Sequence, residues 1–266
     1  MIKRLLLAKI KAVAKKMPAI AVVGPRQSGK TTLSKAAFKN HKYISLENLK
    51  NKEFAQEDPN SFLETHENKH GIILDEIQNV PELLSYIQVH IDQYKRYGYF
   101  VITGSQNFLV NQAITQTLAG RIAIFTLLPL SLTELKDSNL LPKTMEEYVF
   151  KGSYPRVYAD DLDPLSWYPS YLRTYVERDV RSIRNIENLS VFQRFVGLCA
   201  GRIGQIINFT SLANDCGISL PTVKSWLSIL EASYIIFLLQ PYYKNISKRL
   251  VKSPKLYFYD TVVACS

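Results

Sequence analysis

The chain has 266 residues, a hydrophobic fraction of 47% and a charged fraction of 21%, which is ordinary for a soluble globular protein with one large domain or two smaller ones. No apolar run approaches the roughly 18 residues of a membrane span, and three cysteines without C-x-x-C spacing argue against a disulfide framework or a zinc site. The net charge of +10 favours an anionic partner, and the cysteine usage fits the reducing cytoplasm.

The first forty residues predict a helix, a strand, a loop and a second helix. Residues 1–16 predict an amphipathic helix beside the first strand, and Lys9 and Lys11 interrupt its apolar run, which is unlike a secretory signal. Residues 19–23 are a short apolar run with β-branched side chains, typical of a buried strand. Residues 32–38 suit the first turns of a helix.

A phosphate-binding loop is predicted between that strand and the second helix. Residues 24–31 read GPRQSGKT and match G-x-x-x-x-G-K-[ST] at every fixed position. The glycines allow the turn and a close approach of backbone to phosphate, at the positive end of the helix. Lys30 is expected to reach the β- and γ-phosphates, and the Thr31 hydroxyl to bind Mg²⁺. The predicted nucleotide-binding residues are Gly24, Gln27, Ser28, Gly29, Lys30, Thr31 and Thr32.

A second motif supplies carboxylates. Residues 71–78 read GIILDEIQ, an apolar strand that ends in Asp75 and Glu76 and resembles a Walker B segment. In such a segment the aspartate holds Mg²⁺ and the glutamate polarises the attacking water. We therefore predict Thr31 and Asp75 as metal-binding residues, Glu76 as the catalytic base and Lys30 as a catalytic cation.

Two further strands carry candidate catalytic residues. Residues 99–107 read YFVITGSQN, and polar atoms begin at the carboxyl end, where open α/β sheets bind ligands. Ser105 or Gln106 is expected to sense the γ-phosphate or to orient water, the alternative being a simple turn. Arg121 opens the last strand and either stabilises transferred phosphate, in its own subunit or in a neighbour within a homo-oligomer, or makes a surface ion pair.

The element order indicates the fold class. We predict an α/β P-loop NTPase domain over 1–130, with a mostly parallel five-stranded sheet between helices. Its strands are predicted near 19–24, 43–47, 71–75, 99–104 and 121–127. Ser131 and Glu134 predict a capping box at the start of the next helix. A helical connector is predicted over 131–200, and a winged-helix region with the start of a further domain over 201–266.

Residues 210–229 have helix-turn-helix spacing. Ala213 stands where two helices cross, Gly217 supplies a turn with positive φ, and Ser219 caps the second helix. Apolar runs at 234–240 and 255–260 predict the strands of a wing, with a basic segment between them. Duplex DNA is therefore a candidate partner, the alternative being a purely structural module. The candidate DNA-binding residues are Lys224, Lys248, Arg249 and Lys252.

Six strings in combination resemble a widespread prokaryotic family of AAA+-like ATPases: GPRQSGKTTL, LDEIQNVPELL, VITGSQNF, LAGRIAIFTLLPLSLTEL, YLRTYVERDV and KRLVKSPKLYFYDT. In that family a P-loop domain precedes a winged-helix region and a domain of unknown function. The resemblance implies ATP and Mg²⁺, with Lys30, Thr31, Asp75 and Glu76 at matching positions. Members continue past YFYDT into a segment resembling a restriction-endonuclease-like fold. Here the chain stops soon after Thr261, and we expect a C-terminally truncated member.

Two functions remain open. The leading prediction is a Mg²⁺-dependent ATPase whose hydrolysis drives motion of a winged-helix part that binds DNA. The alternative is a DNA-binding regulator that holds ATP as a switch, with little or no turnover. A GTPase is disfavoured because residues 51–54 read NKEF and depart from N-K-x-D. A small-molecule kinase is disfavoured because Glu76 beside Asp75 favours water as the nucleophile.

Overall fold

A computed structural model describes residues 2–105, 114, 116–183, 188–242 and 252–265, with the backbone alone described over 175–183. Two compact units divide the chain, Met1–Ser138 and Asn139–Ser266. In the described part of the chain, no helix has the length and apolar character that a membrane crossing needs.

The first unit is an α/β unit. Its strands are β1 (Ala19–Val23), β2 (Lys42–Ser45), β3 (Ile72–Asp75), β4 (Phe100–Gly104) and β5 (Ile122–Thr126). Its described helices are α1 (Leu6–Ala14), α2 (Lys30–Ala37), α3 (Leu49–Glu57), α4 (Pro59–Thr65), α5 (Leu83–Tyr94) and α6 (Leu132–Asp137). A short 3₁₀ turn, Ile77–Asn79, follows β3.

The five strands form one parallel sheet in the order β2-β3-β4-β1-β5. The predicted parallel five-stranded sheet is therefore confirmed. The last residues of neighbouring strands lie side by side, as Val23 does with Gly104 and Ser45 with Asp75. Because all strands run the same way, the loops that follow them meet at one edge of the sheet, which we call the carboxyl edge.

Strand β1 lies in the middle of the core, and all five of its residues are buried. Successive side chains of a strand point to opposite faces, so β1 contributes to two layers. Ala21 and Val23 pack in one apolar cluster with residues of α3, α4 and α5. Ile20 and Val22 pack in the other cluster, with Ile10 of α1 and Leu33 of α2. The sheet therefore lies between α1 and α2 on one face and α3–α5 on the other.

Helix α6 begins with the predicted capping box. Ser131 Oγ accepts from the Glu134 backbone N–H at 3.2 Å, and Glu134 Oε2 accepts from the Ser131 N–H at 3.0 Å. The other oxygen of Glu134 accepts from Nε of Arg4 at 3.1 Å. Helix α6 belongs to the first unit, which extends to Ser138, eight residues beyond the boundary predicted at 130.

The second unit is mainly helical. Its described helices are α7 (Met145–Lys151), α8 (Pro155–Ala159), α9 (Pro164–Ile183), α10 (Leu189–Ala200), α11 (Phe209–Cys216), α12 (Leu220–Ala232) and α13 (Thr261–Cys265). Strands β6 (Ile236–Leu239) and β7 (Lys255–Phe258) pair antiparallel. Cys199 and Cys216 are buried thiols and Cys265 is exposed, all three free.

Helices α11 and α12 meet at a tight turn. Gly217 ends α11 with φ +68°, a conformation that glycine adopts without strain. Ser219 then caps α12 by accepting from the Thr222 backbone N–H at 3.2 Å. Val223 and Trp226 are buried on one side of α12. These features agree with helix-turn-helix spacing, and the assignment of a winged helix stays a prediction.

Candidate nucleotide site

The predicted phosphate loop leaves the carboxyl end of β1 and enters α2. Gly24 has φ +146°, and a Cβ atom there would lie 2.2 Å from the backbone oxygen of Leu127. Gly29 has φ +92° and stands directly before the first residue of α2. Both positions therefore require glycine, the first for space and the second for its backbone conformation.

Donor groups of this loop remain available for a ligand. The backbone N–H groups of Gln27, Gly29, Thr31 and Thr32 donate to no described residue. Ser28 is fully buried, and its Oγ has no hydrogen-bond partner among the described residues. Buried polar groups are rarely left without partners, and unpaired N–H groups at a helix start suit an anion. The loop therefore fits the phosphates of a nucleotide.

Lys30 lies inside the loop and is only 5% exposed. Its ammonium group donates to the backbone oxygens of Gly24 at 3.0 Å and Pro25 at 2.8 Å. A buried ammonium needs such partners, because an unpaired charge away from water is costly. The loop carbonyls thus hold the Lys30 charge beside the unpaired N–H groups, where a phosphate would meet both.

Asp75 ends β3 and receives three hydroxyl groups. Thr31 Oγ1 donates to Oδ1 at 2.9 Å, Tyr43 donates its phenol O–H to Oδ2 at 2.7 Å, and Thr103 Oγ1 donates to Oδ1. The carboxylate is 6% exposed and is held at the carboxyl edge beside the start of α2. The structure thus brings together Thr31 and Asp75, the two predicted metal-binding residues.

Tyr43 and Thr103 were missed by the sequence analysis. Thr103 lies among apolar residues in a buried strand, and this isolated hydroxyl could have indicated a functional residue from the sequence alone. Tyr43 gives no such signal, because aromatic residues are common in strands. Burial, and the hydrogen bond to Asp75, raise the pKa of Tyr43 above its ordinary value, so the phenol keeps its proton and donates. Lys35 Nζ lies 3.4 Å from the centre of the same ring.

Glu76 follows Asp75 and bonds to two side chains. Ser105 Oγ donates to its Oε2 at 2.9 Å, and Gln78 Nε2 donates to the same oxygen. Gln78 Nε2 also lies 3.1 Å from Ser105 Oγ, which closes a triangle of polar atoms. Two predicted catalytic residues, Glu76 and Ser105, therefore lie in contact. The other candidate at this position, Gln106, lies outside the described residues.

Arg121 does not join this group within its own chain. Its Nε and Nη2 donate to the two oxygens of Asp92 at 2.6 and 2.9 Å. Arg121 precedes β5, and its backbone oxygen accepts from the N–H of Ala19, the first residue of β1. It therefore lies at the amino edge, a full strand away from the phosphate loop. Within its own chain Arg121 makes the surface ion pair that was the alternative interpretation, and a role at the phosphates of a neighbouring subunit stays a prediction.

Arg4 is a further residue that the sequence analysis missed. Its guanidinium donates to the backbone oxygens of Ser28 at 2.6 Å and Leu128 at 2.5 Å, besides the bond to Glu134. The Arg4 side chain is 8% exposed and that of Glu134 is 7% exposed. Arg4 thus fixes the phosphate loop to the segment that follows β5.

The candidate DNA-binding residues are described in part. Lys224 on α12 and Lys252 before β7 are both exposed. Lys248 and Arg249 lie outside the described residues. The rest of the predicted wing, residues 243–251, likewise lies outside the described residues.

The parallel sheet, the phosphate loop after β1 and the Asp-Glu pair after β3 are features that P-loop ATPase domains combine, and in these features the first unit is similar to them. Residues 16–136 match the family model of the AAA domain, and residues 142–266 match a domain of unknown function, DUF8612.

Known proteins resemble the chain over most of its length. Uncharacterized proteins of Mycobacterium bovis and Mycobacterium tuberculosis are each 25% identical over 256 residues, which is 96% of this chain and 57% of each relative. The chain therefore spans little more than half the length of these relatives. The Walker-type ATPase of Pyrococcus abyssi superposes with a TM-score of 0.62 at 16% identity, over 100% of this chain and 95% of that one. That similarity is one of fold.

Proposed function

We propose that the chain binds ATP with Mg²⁺ and hydrolyses it at the carboxyl edge of its parallel sheet. The observation that carries the proposal is the contact of residues from separate segments at this edge. Thr31 of the phosphate loop bonds to Asp75 of β3, and Ser105 after β4 bonds to Glu76. Residues so far apart in sequence have no local reason to meet, whereas phosphate transfer needs all of them together.

Asp75 and Thr31 would hold Mg²⁺. Oxygen ligands are those that Mg²⁺ prefers, and the carboxylate is already oriented by hydroxyl groups. The ion would supply positive charge that neutralises the phosphate oxygens. Lys30 would exchange its bonds to Gly24 and Pro25 for bonds to phosphate oxygens, because the charged acceptors are stronger.

Glu76 is the proposed base. Its carboxylate accepts a proton from water while the water oxygen forms a bond to the γ-phosphorus, and the bond to the bridging oxygen breaks. ADP and inorganic phosphate leave as products. Ser105 and Gln78 orient the carboxylate, since both contact the same oxygen.

Phosphate release with ATP, in Mg²⁺ and in excess chelator, tests the proposal. We expect turnover that needs Mg²⁺ and is lost in Lys30→Ala, since the phosphates then lose their main side-chain partner. The matched control is Lys136→Ala, an exposed lysine of α6. Equal nucleotide affinity and turnover in Lys30→Ala and Lys136→Ala would contradict the assignment of the site.

A second candidate function is that of a DNA-binding regulator that holds ATP with little turnover. The geometry of α11 and α12 supports a helix-turn-helix, with Lys224 exposed on α12. Adding duplex DNA to the phosphate-release assay separates the two functions. Stimulated turnover favours the coupled ATPase, whereas DNA binding that needs ATP but leaves its hydrolysis negligible favours the regulator.

A further inference from the structure

The positive charge of the chain is concentrated at its start. Of the 33 lysines and arginines, eleven lie within residues 1–46, a stretch without any aspartate or glutamate. The 22 that follow are balanced by all 23 acidic residues of the chain. The net charge of +10 therefore comes entirely from the first 46 residues, which belong to the nucleotide-binding unit and not to the predicted helix-turn-helix.

Six of these lysines are exposed on one side of the first unit. Helices α1 and α2 contact each other and share one apolar cluster against the sheet. Their apolar side chains point inward, so the lysines are left on the outside. We call these six the lysine face: Lys9, Lys11, Lys15, Lys16, Lys35 and Lys39.

The charges of the lysine face are not neutralised within the described part of the chain. No ion pair joins any of the six to a described carboxylate. Lys35 and Lys9 lie over the rings of Tyr43 and Phe125, at 3.4 and 6.0 Å, and those contacts leave the ammonium charge in place.

The other side of the sheet has the opposite character. Residues 47–94, which include α3, α4 and α5, contain three lysines and ten acidic residues, of which Asp75 and Glu76 lie at the carboxyl edge. The first unit is thus basic on one face and acidic on the other. An anionic partner would be attracted to the α1–α2 side and repelled from the α3–α5 side, which orients its approach.

The surface chemistry of the lysine face identifies the kind of partner. Protein interfaces are depleted in lysine and have an apolar centre, whereas the only large apolar side chain exposed within residues 2–46 is Leu5. A membrane-binding helix needs a free apolar face, and that of α1 is covered by the sheet. No aromatic side chain is exposed within residues 2–46 for stacking on bases.

We propose that the lysine face binds the phosphate backbone of double-stranded nucleic acid, without reading its sequence. At the helical rise of 1.5 Å per residue, the segment from Lys9 in α1 to Lys16 in the turn after it is roughly 10 Å long. A strand of DNA presents a phosphate about every 3.4 Å over that length. Lys9 and Lys11 of α1, with Lys15 and Lys16 directly after it, can therefore meet several successive phosphates. This binding is separate from ATP hydrolysis and from any contact made by α12.

The test compares two triple variants of the full chain. The face variant carries Lys9→Gln, Lys11→Gln and Lys16→Gln. The control variant carries Lys50→Gln, Lys52→Gln and Lys69→Gln, from the acidic stretch, and lowers the net charge by the same amount. Glutamine is a good helix former, so α1 and α3 are retained, which circular dichroism checks. The probes are fluorescent duplex DNA and duplex RNA of mixed sequence, titrated without ATP over a series of salt concentrations.

We expect the wild type and the control variant to bind with an affinity that falls linearly with the logarithm of the salt concentration. In the face variant the slope should flatten by up to about 2.7, and the affinity should fall at least about tenfold. The proposal is supported if the wild type binds either duplex, or both, and the face variant loses that binding. Comparing the affinities for duplex DNA and duplex RNA then identifies the nucleic acid.

Three results would overturn the proposal. One is an equal effect of the face and control variants. Another is duplex binding that survives in the face variant but is lost in Lys224→Gln with Lys252→Gln. The third is a wild type that binds neither duplex, whether it binds vesicles of phosphatidylserine or no polyanion at all.

Discussion

Tyr43 donates its phenol O–H to Oδ2 of Asp75 at 2.7 Å, from the strand that lies next to β3 in the sheet. Loss of a group that holds a metal-binding carboxylate in place typically lowers metal affinity or activity by about 10–100-fold. The hydroxyl of Tyr43 is therefore part of the candidate Mg²⁺ site although it would not touch the ion.

Tyr43→Phe removes that donor and keeps the ring. We expect the Mg²⁺ affinity or the turnover to fall about 10–100-fold, because Asp75 loses one of its hydroxyl partners. The measurement is phosphate release as a function of Mg²⁺ concentration. Tyr97→Phe is the matched control, since Tyr97 is 66% exposed. If both variants show the same Mg²⁺ dependence, Tyr43 has only a packing role.

Glu76→Gln should keep ATP bound while hydrolysis slows by roughly 10²–10⁴-fold, because the amide has nearly the same shape but cannot accept the proton. Fluorescent-nucleotide binding and single-turnover hydrolysis measure the two effects separately. Glu82→Gln, an exposed carboxylate before α5, is the control. Unchanged hydrolysis in Glu76→Gln would exclude Glu76 as the base.

Arg4→Ala should destabilise the first unit. It leaves the buried carboxylate of Glu134 without its charged partner, and breaking a buried ion pair in this way costs about 3–5 kcal/mol. Urea unfolding measures the change in the free energy of unfolding. Arg96→Ala removes an ion pair with Glu67 that is largely exposed, and should have a much smaller effect. Similar losses in the two variants would show that the Arg4 contacts contribute little.

Stability should fall in mild acid. Burial lowers the pKa of His41 and of His90 below the ordinary histidine value of 6.5. A group whose pKa is lower in the folded state stabilises that state above the unfolded pKa, and the stabilisation is lost as the pH falls towards the folded pKa. We therefore expect the free energy of unfolding to decrease below about pH 6.5.

His41→Gln tests this pH dependence. The His41 ring donates from Nε2 to the backbone oxygen of Gly98 at 2.8 Å, and a glutamine amide can also donate without titrating. Denaturant unfolding at several pH values should give a smaller decrease in acid for the variant than for the wild type. If the free energy of unfolding depends on pH in the same way in both proteins, His41 does not contribute to the loss of stability in acid.

The sequence predicted those parts of the site that depend on local spacing. The loop from Gly24 to Thr31 and the pair Asp75–Glu76 each lie within a few residues, because a turn and a strand end are local structures. Arg4 could not be found this way, since its partner Glu134 is 130 residues distant and no periodicity links them.

Arg121 illustrates a different limit. Its basic charge and its position near a predicted strand suggested a catalytic role, but a residue that opens a parallel strand lies at the edge opposite the one where ligands bind. Strand direction alone therefore excludes it from its own site. Gln78 was missed because its contact depends on the pairing of strands. It lies two positions after Glu76, and it contacts Ser105 only once β3 and β4 are paired.

The position of β1 in the sheet has a consequence for the order in which the protein can be assembled during synthesis. Strand β1 is made early, yet its neighbours on the two sides are β4 and β5. One of its hydrogen-bonding edges therefore stays open until β4 has been made, and the other until the ribosome has made residues up to Thr126. The contacts that fix the phosphate loop are completed later still. Arg4 bonds to the backbone oxygen of Leu128 and to the carboxylate of Glu134, which are made after β5. A ribosome-bound chain that ends before α6 should thus lack the complete contacts of the candidate phosphate loop, while exposing an apolar strand of the kind that chaperones bind.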